Sequence, residues 1–135
     1  MYASSSYVTS QLITGAGWDR TMNWLVETGM EEEKVLYDSR SWGNYEDSIE
    51  NALTNSGSSN MNWRTGRSEY WKANNIYDLA GNTEEWTQEM FGSEILYRGG
   101  YAGFSGTTAY SCSRSYDQQV DASTAVSFRT QLFIK

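Results

Sequence analysis

Histidine is absent from this chain of 135 residues, and Cys112 is its only cysteine. The two shortages together exclude Ser-His-Asp and Cys-His catalysis, an intramolecular disulfide and any ordinary zinc site built from His and Cys. By itself the lone cysteine reads as a small buried hydrophobe. Proline is missing too, so no Pro-rich linker divides the chain. Basic residues are scarce: 10 Lys and Arg against 17 Asp and Glu give a formal charge of -7. That balance opposes nucleic-acid phosphates and anionic membrane surfaces, both of which call for clustered positive charge. No run approaches the ~18 apolar residues of a membrane-spanning helix, so no membrane insertion is expected. The opening Met1-Tyr2-Ala3-Ser4-Ser5-Ser6 lacks the basic and apolar blocks of a secretion signal.

What is present suits one folded domain over 1–135. At 39% hydrophobic and 15% aromatic, with six Trp and ten Tyr, there is apolar surface enough for a single core. Trp18, Met22 and Leu25 recur at helical spacing and predict a helix over about Gly17 to Thr28, with Thr14 as N-cap and Gly29 just past its end. Trp18 and Trp24 both read as core residues. The run Glu31-Glu32-Glu33-Lys34 reads as a solvated turn leading to an apolar patch at Val35, Leu36 and Tyr37. Between Asp38 and Asn75 the Ser, Gly and Asn content predicts long irregular segments, with a weak helical pattern only at Ser48–Leu53. Ile95–Arg98 reads as a strand. Val126–Ile134 reads as another, half-buried, with Val126, Phe128, Leu132 and Ile134 on one side and Ser127, Arg129 and Gln131 on the other. The expected class is α+β, with much loop, short antiparallel strands and one or two helices.

The segment NIYDLAGNTEEW, Asn75 to Trp86, places Asp78, Asn82, Glu84 and Glu85 around Gly81. Hard cations such as calcium take roughly six to eight oxygens, and a glycine bend lets several carbonyls face one point. The same spacing also suits a plain glycine turn before a capped helix. NNIYDLAGNTEEWTQE, followed by YRGGY and by SFR near the end, resembles the C-terminal half of the formylglycine-generating-enzyme (sulfatase-modifying factor) family, a variant of the C-type-lectin-like fold. QLITGAGWD, Gln11 to Asp19, matches more weakly. The likeness runs from about Gln11 to Phe133, and the family's N-terminal strands and first helix are not apparent, so the chain reads as shortened relative to it.

That resemblance implies a structural calcium held by the side chains of Asp78 and Glu85 and the backbone carbonyls of Gly81 and Thr83. Asn82 would brace the loop, and Trp86 would close it as a core residue. The family's enzymes hold copper on a pair of cysteines just after Arg-Gly-Gly, as copper(I) prefers soft thiolates. Here Phe104 or a close neighbour stands at the first position, and only Cys112 is a displaced candidate for the second. One thiolate cannot make the site, so no copper is expected and the chain reads as no enzyme.

After Arg98-Gly99-Gly100, residues Tyr101 to Ala125 contain no Lys, Glu, Met or Trp. Tyr97, Tyr101, Phe104, Tyr110 and Tyr116 offer large amphipathic contact area. Ser105, Thr107, Thr108, Ser111, Ser113 and Ser115 offer adaptable hydrogen bonds, and the combination is that of binding loops. An ordinary polar loop of small residues is the plainer reading. The stretch also resembles the variable proteins of diversity-generating retroelements, which use this scaffold and randomise the adenines of Asn codons near the gene's end. Such codons yield Tyr, Ser, Thr, Ala, Gly, Phe, Cys, Arg, Asp and Val but never Lys, Glu, Gln, Met or Trp, and only Gln118 and Gln119 depart from that alphabet. The resemblance implies a non-catalytic module with a variable region over 97–125, binding a protein or glycan ligand on a phage virion or bacterial surface. A formylglycine-generating oxidase and the structural cap of a larger surface protein are the alternatives.

Overall fold

The computed structural model describes residues 7–49, 61–117 and 123–134. In chain order they form β1 (Val8–Leu12), α1 (Gly15–Glu27), α2 (Glu32–Leu36), a 3-10 turn (Ser39–Ser41), β2 (Lys72–Ala73), β3 (Ile76–Tyr77), β4 (Glu84–Phe91), β5 (Glu94–Arg98), β6 (Arg114–Asp117), β7 (Val126–Phe128) and β8 (Thr130–Ile134). Helices and short strands connected by long loops make an α+β architecture, as the sequence suggests.

The long helix starts where the side chain of Thr14 accepts the backbone N–H of Gly17 at 2.9 Å, which satisfies one donor that the first turn leaves open. It ends at Thr28, and Gly29 takes a φ of +112° just beyond. Trp18, Met22 and Leu25 lie in the core with Ile13, Val35, Trp42, Tyr45, Leu79 and Ala80. Trp24 does not join them and is exposed. It sits six residues after Trp18, which at 3.6 residues per turn turns it by roughly 120° from the buried stripe.

Two sheets frame this core. β1 pairs antiparallel with β8, Val8 opposite Ile134 and Leu12 opposite Thr130. The larger sheet runs β6-β5-β4-β7, antiparallel except for β4 beside β7. The shift in register between Trp86 and Met90 is accompanied by the Thr87 hydroxyl donating to the carbonyl of Leu96 at 3.0 Å. A small hairpin joins β2 to β3 through Asn74 and Asn75, both at positive φ. Two left-handed residues in a two-residue turn match the twist of such a hairpin, and Asn tolerates that conformation well.

Four expectations change. Glu31–Lys34 is not a bare turn, because Glu32–Leu36 is a short helix: Val35 is fully buried, acids stand in the first turn, and Lys34 pairs with Glu31. The expected strand Val126–Ile134 breaks at Arg129, since its first part pairs with β4 and its second with β1. Its apolar row faces out, with Phe128 and Leu132 exposed and Ile134 88% exposed. Alternation fixes which residues share a face but not which face meets the core. β4 stands where the plain reading of the Gly81 turn expects a capped helix: Glu84–Phe91 is a strand. Ser48 and Ile49 aside, the weak helical pattern at Ser48–Leu53 lies outside the described residues.

Candidate functional site

The segment between Arg98 and Arg114 leaves the end of β5 and returns as β6, so it caps one end of the larger sheet. Its backbone is fastened at many points. The carbonyl of Gly99 accepts the Tyr45 hydroxyl at 2.9 Å and the N–H of Gly81 at 2.6 Å. Ala102 donates to Asn82, and the carbonyls of Phe104 and Gly106 accept from Glu46 and Ser39. Asp47 takes the Ser105 hydroxyl at 2.6 Å and the Gly106 N–H at 2.9 Å. Gly100 has a φ of +75°, and a Cβ there would lie 1.9 Å from the carbonyl oxygen of Ala109. Only glycine lets the two limbs of the loop close so tightly.

Below this loop, Arg98 is wholly buried. It donates to Asp19 at 2.8 Å, to Glu89 at 3.0 Å and to the carbonyl of Cys112 at 2.9 Å. Arg114 closes the square on the second oxygens of the same two carboxylates, at 2.7 and 2.9 Å. Helix α1 and strands β4, β5 and β6 are thereby clamped by one network of charge-assisted bonds.

The side chains predicted as contacts separate into groups. On the loop, Tyr101 and Phe104 make an edge-on pair at 5.6 Å, and Phe104 is 48% exposed. Thr107 and Thr108 are exposed, Ser105 and Ser113 half-buried, and Tyr110 leans on Tyr37 at 6.2 Å. On the sheet, Tyr97 pairs with Ser115 and with Trp86, and Trp86 with Phe128. Ser115, Tyr97, Trp86 and Phe128 therefore line up across four strands on the face turned away from α1, with Trp86 edge-on to Tyr97 at 4.9 Å. Trp86 is half-buried on this row rather than a core residue, a correction that follows from β4 being a surface-facing strand. Neither Trp86 nor Phe128 is signalled as a contact residue by the sequence, and the pairing of β4 with β5 and β7 is what brings them into one row with Tyr97.

Two predicted contacts stand apart. Ser111 is fully buried: its hydroxyl donates to the carbonyl of Val35 at 2.7 Å, its N–H to Ser39 at 3.0 Å, and its carbonyl accepts the Trp18 indole at 2.9 Å. It holds the loop to the core and cannot face a ligand. Tyr116 lies opposite Leu96 and so on the other face of the sheet from Tyr97, 5.8 Å from Phe91. Gln118 and Gln119 lie outside the described residues.

Glu84 shares the outer face with Trp86 and is buried, which pushes its carboxyl up, while a hydrogen bond from Ser115 pulls the other way. Cys112 is half-buried and its thiol is likewise raised by burial, the reverse of what a thiolate ligand or nucleophile needs.

The four residues expected to hold calcium lie in one loop. Asp78, Gly81 and Asn82 all adopt positive φ, and a Cβ on Gly81 would stand 2.2 Å from the carbonyl oxygen of Asn44. Asn82 accepts from Asn44 at 3.1 Å and from the N–H of Trp63 at 2.7 Å, and donates to the carbonyl of Trp63 at 3.0 Å. It braces the loop from inside. Asp78 accepts from Gly66 at 3.0 Å, and burial raises its carboxyl. The hydroxyl of Thr83 meets that of Ser127 at 2.7 Å. Both carboxylate oxygens of Glu85, however, are taken by the guanidinium of Arg129. Among the described residues no group of three or more His, Cys, Asp or Glu is arranged to hold a metal ion. As folded, this donor set does not fit calcium, because the Glu85 carboxylate is already paired with Arg129.

Two fastened helices, three small sheets and a long tied loop above the β5–β6 end are consistent with the C-type-lectin-like fold that the sequence resemblance implies. Among solved structures, the chain is similar to Treponema denticola variable protein 1, with a TM-score of 0.57 and 20% sequence identity. The match covers 90% of this chain and 47% of that one, so the chain spans about half the length of its structural relative. At that identity the likeness establishes the shared fold. No family model matches the sequence, and no curated protein matches it.

Proposed function

We propose that this chain is a non-catalytic ligand-binding module, diversified by a retroelement and displayed on a phage or bacterial surface. The observation that carries the reading is the division within the 99–113 segment. Its backbone is anchored at Gly99, Ala102, Phe104, Gly106 and Ser111, while Tyr101, Phe104, Thr107, Thr108 and Tyr110 extend from that frame. A surface of this kind can change its side chains without changing its path. The restricted alphabet of Tyr101–Ala125 and the likeness to a protein named for its variability support the same conclusion.

Its mechanism is contact alone. Rigid aromatics supply area at low entropic cost, and hydroxyls supply adjustable hydrogen bonds. The ligand is a protein or a glycan. Screening the protein against arrays of both tests the reading: Phe104→Ala and Tyr101→Ala should each weaken capture by about tenfold or more, with melting temperature unchanged within a few degrees. Capture unaffected by both variants would contradict it.

A further inference from the structure

We infer that Arg129 is the resident cation of the Asp78–Glu85 loop, paired with the one carboxylate, Glu85, that it shares with the donor set expected for calcium. Glu85 is 5% exposed, and an ionised carboxylate held so far from water must have a cationic partner. Arg129 meets it in fork geometry, Nη2 to Oε1 at 2.6 Å and Nε to Oε2. The same Nη2 lies 3.2 Å from the carbonyl oxygen of Tyr77 and 3.3 Å from that of Asp78. One guanidinium thus gathers a carboxylate and two backbone carbonyls, the kinds of oxygen that a hard divalent ion takes.

The placement is built into the fold. Arg129 is the residue at which β7 stops pairing with β4 and β8 begins to pair with β1, and its own carbonyl accepts the N–H of Ile13 at 3.2 Å. The break in the strand leaves its side chain free to turn toward Glu85. A divalent ion at the same carboxylate would meet a guanidinium at contact distance in a poorly solvated setting, where like charges repel strongly. The loop therefore keeps its shape, and holds the neighbouring Gly99–Ala102 limb through Gly81 and Asn82, without calcium.

Thermal melting of the full chain in calcium and in chelator tests this. The wild-type melting temperature should be the same in both. Arg129→Gln exposes the oxygen set to solvent ions, so it should melt lower than wild type in chelator and recover by roughly 5 °C or more when calcium exceeds its dissociation constant a hundredfold. The double variant Arg129→Gln, Glu85→Gln removes the carboxylate with its partner and should fold without responding to calcium. Arg129→Lys keeps a positive charge and should not respond either. A wild-type melting temperature that climbs with calcium would overturn the inference. So would an Arg129→Gln variant indifferent to calcium, or a double variant that fails to fold.

Discussion

Ser111 and Trp24 show what single residues conceal from a reader of sequence. A serine in a run of serines looks like a surface hydroxyl, yet Ser111 is fully buried between Val35, Ser39 and Trp18, all more than 70 positions away. Nothing local could signal that. Trp18 was legible because Met22 and Leu25 repeat its phase, whereas Trp24 falls off that phase and its hydrophobicity misleads. Charge placement is also a residue-scale matter. Burial raises the Glu84 carboxyl above the ordinary range, and a hydrogen bond from Ser115 partly opposes that rise. The folded chain then binds that proton more tightly than the unfolded one. This contribution to stability is complete below the ordinary glutamate pKa of about 4.3, and is lost as pH rises through the raised folded value. Glu84→Gln should therefore melt level with wild type in acid and above it at neutral pH. Equal melting temperatures at both would show that Glu84 is not destabilised by burial.

At the scale of elements, α1 and β5 were readable because each follows one clean rule: a helical stripe for α1, and an apolar run ending at glycines for β5. β4 was hidden because its residues are polar, with Glu84, Glu85 and Thr87 buried through specific partners and no apolar stripe. The C-terminal strand is legible in its alternation but not in which face meets the core or in its break at Arg129, since both depend on which sheet each half joins. The position of β4 makes a graded prediction. Trp18→Ala empties a core site and should cost about 3–5 kcal/mol. Trp86→Ala removes only an edge-on contact with Tyr97 on a half-buried row, and should cost about 1 kcal/mol. Chemical denaturation of the two variants measures both. Equal losses would place Trp86 in the core after all.

For the molecule as a whole, the arrangement separates constancy from freedom. The Arg98–Arg114–Asp19–Glu89 square ties the helix to three strands, and the guanidinium of Arg129 ties the Asp78–Glu85 loop to the strand break. Between them the 99–113 segment is fixed in path and open in side chain. The resemblance carried by the Asp78–Trp86 block and by Arg98-Gly99-Gly100 made the fold legible, while the candidate site was legible only as a stretch. Which of its residues face outward needed the register of β5 and β6 and the partners of each backbone group. The central claim is tested most directly by sequencing sibling genes and mapping their substitutions onto this frame. The account predicts that changes concentrate at Tyr97, Tyr101, Phe104, Thr107, Thr108 and Tyr110, and spare Gly100, Ala102, Gly106, Ser111 and Arg114. Substitutions spread evenly along the chain, or falling on those anchored positions as often as on the displayed ones, would contradict it.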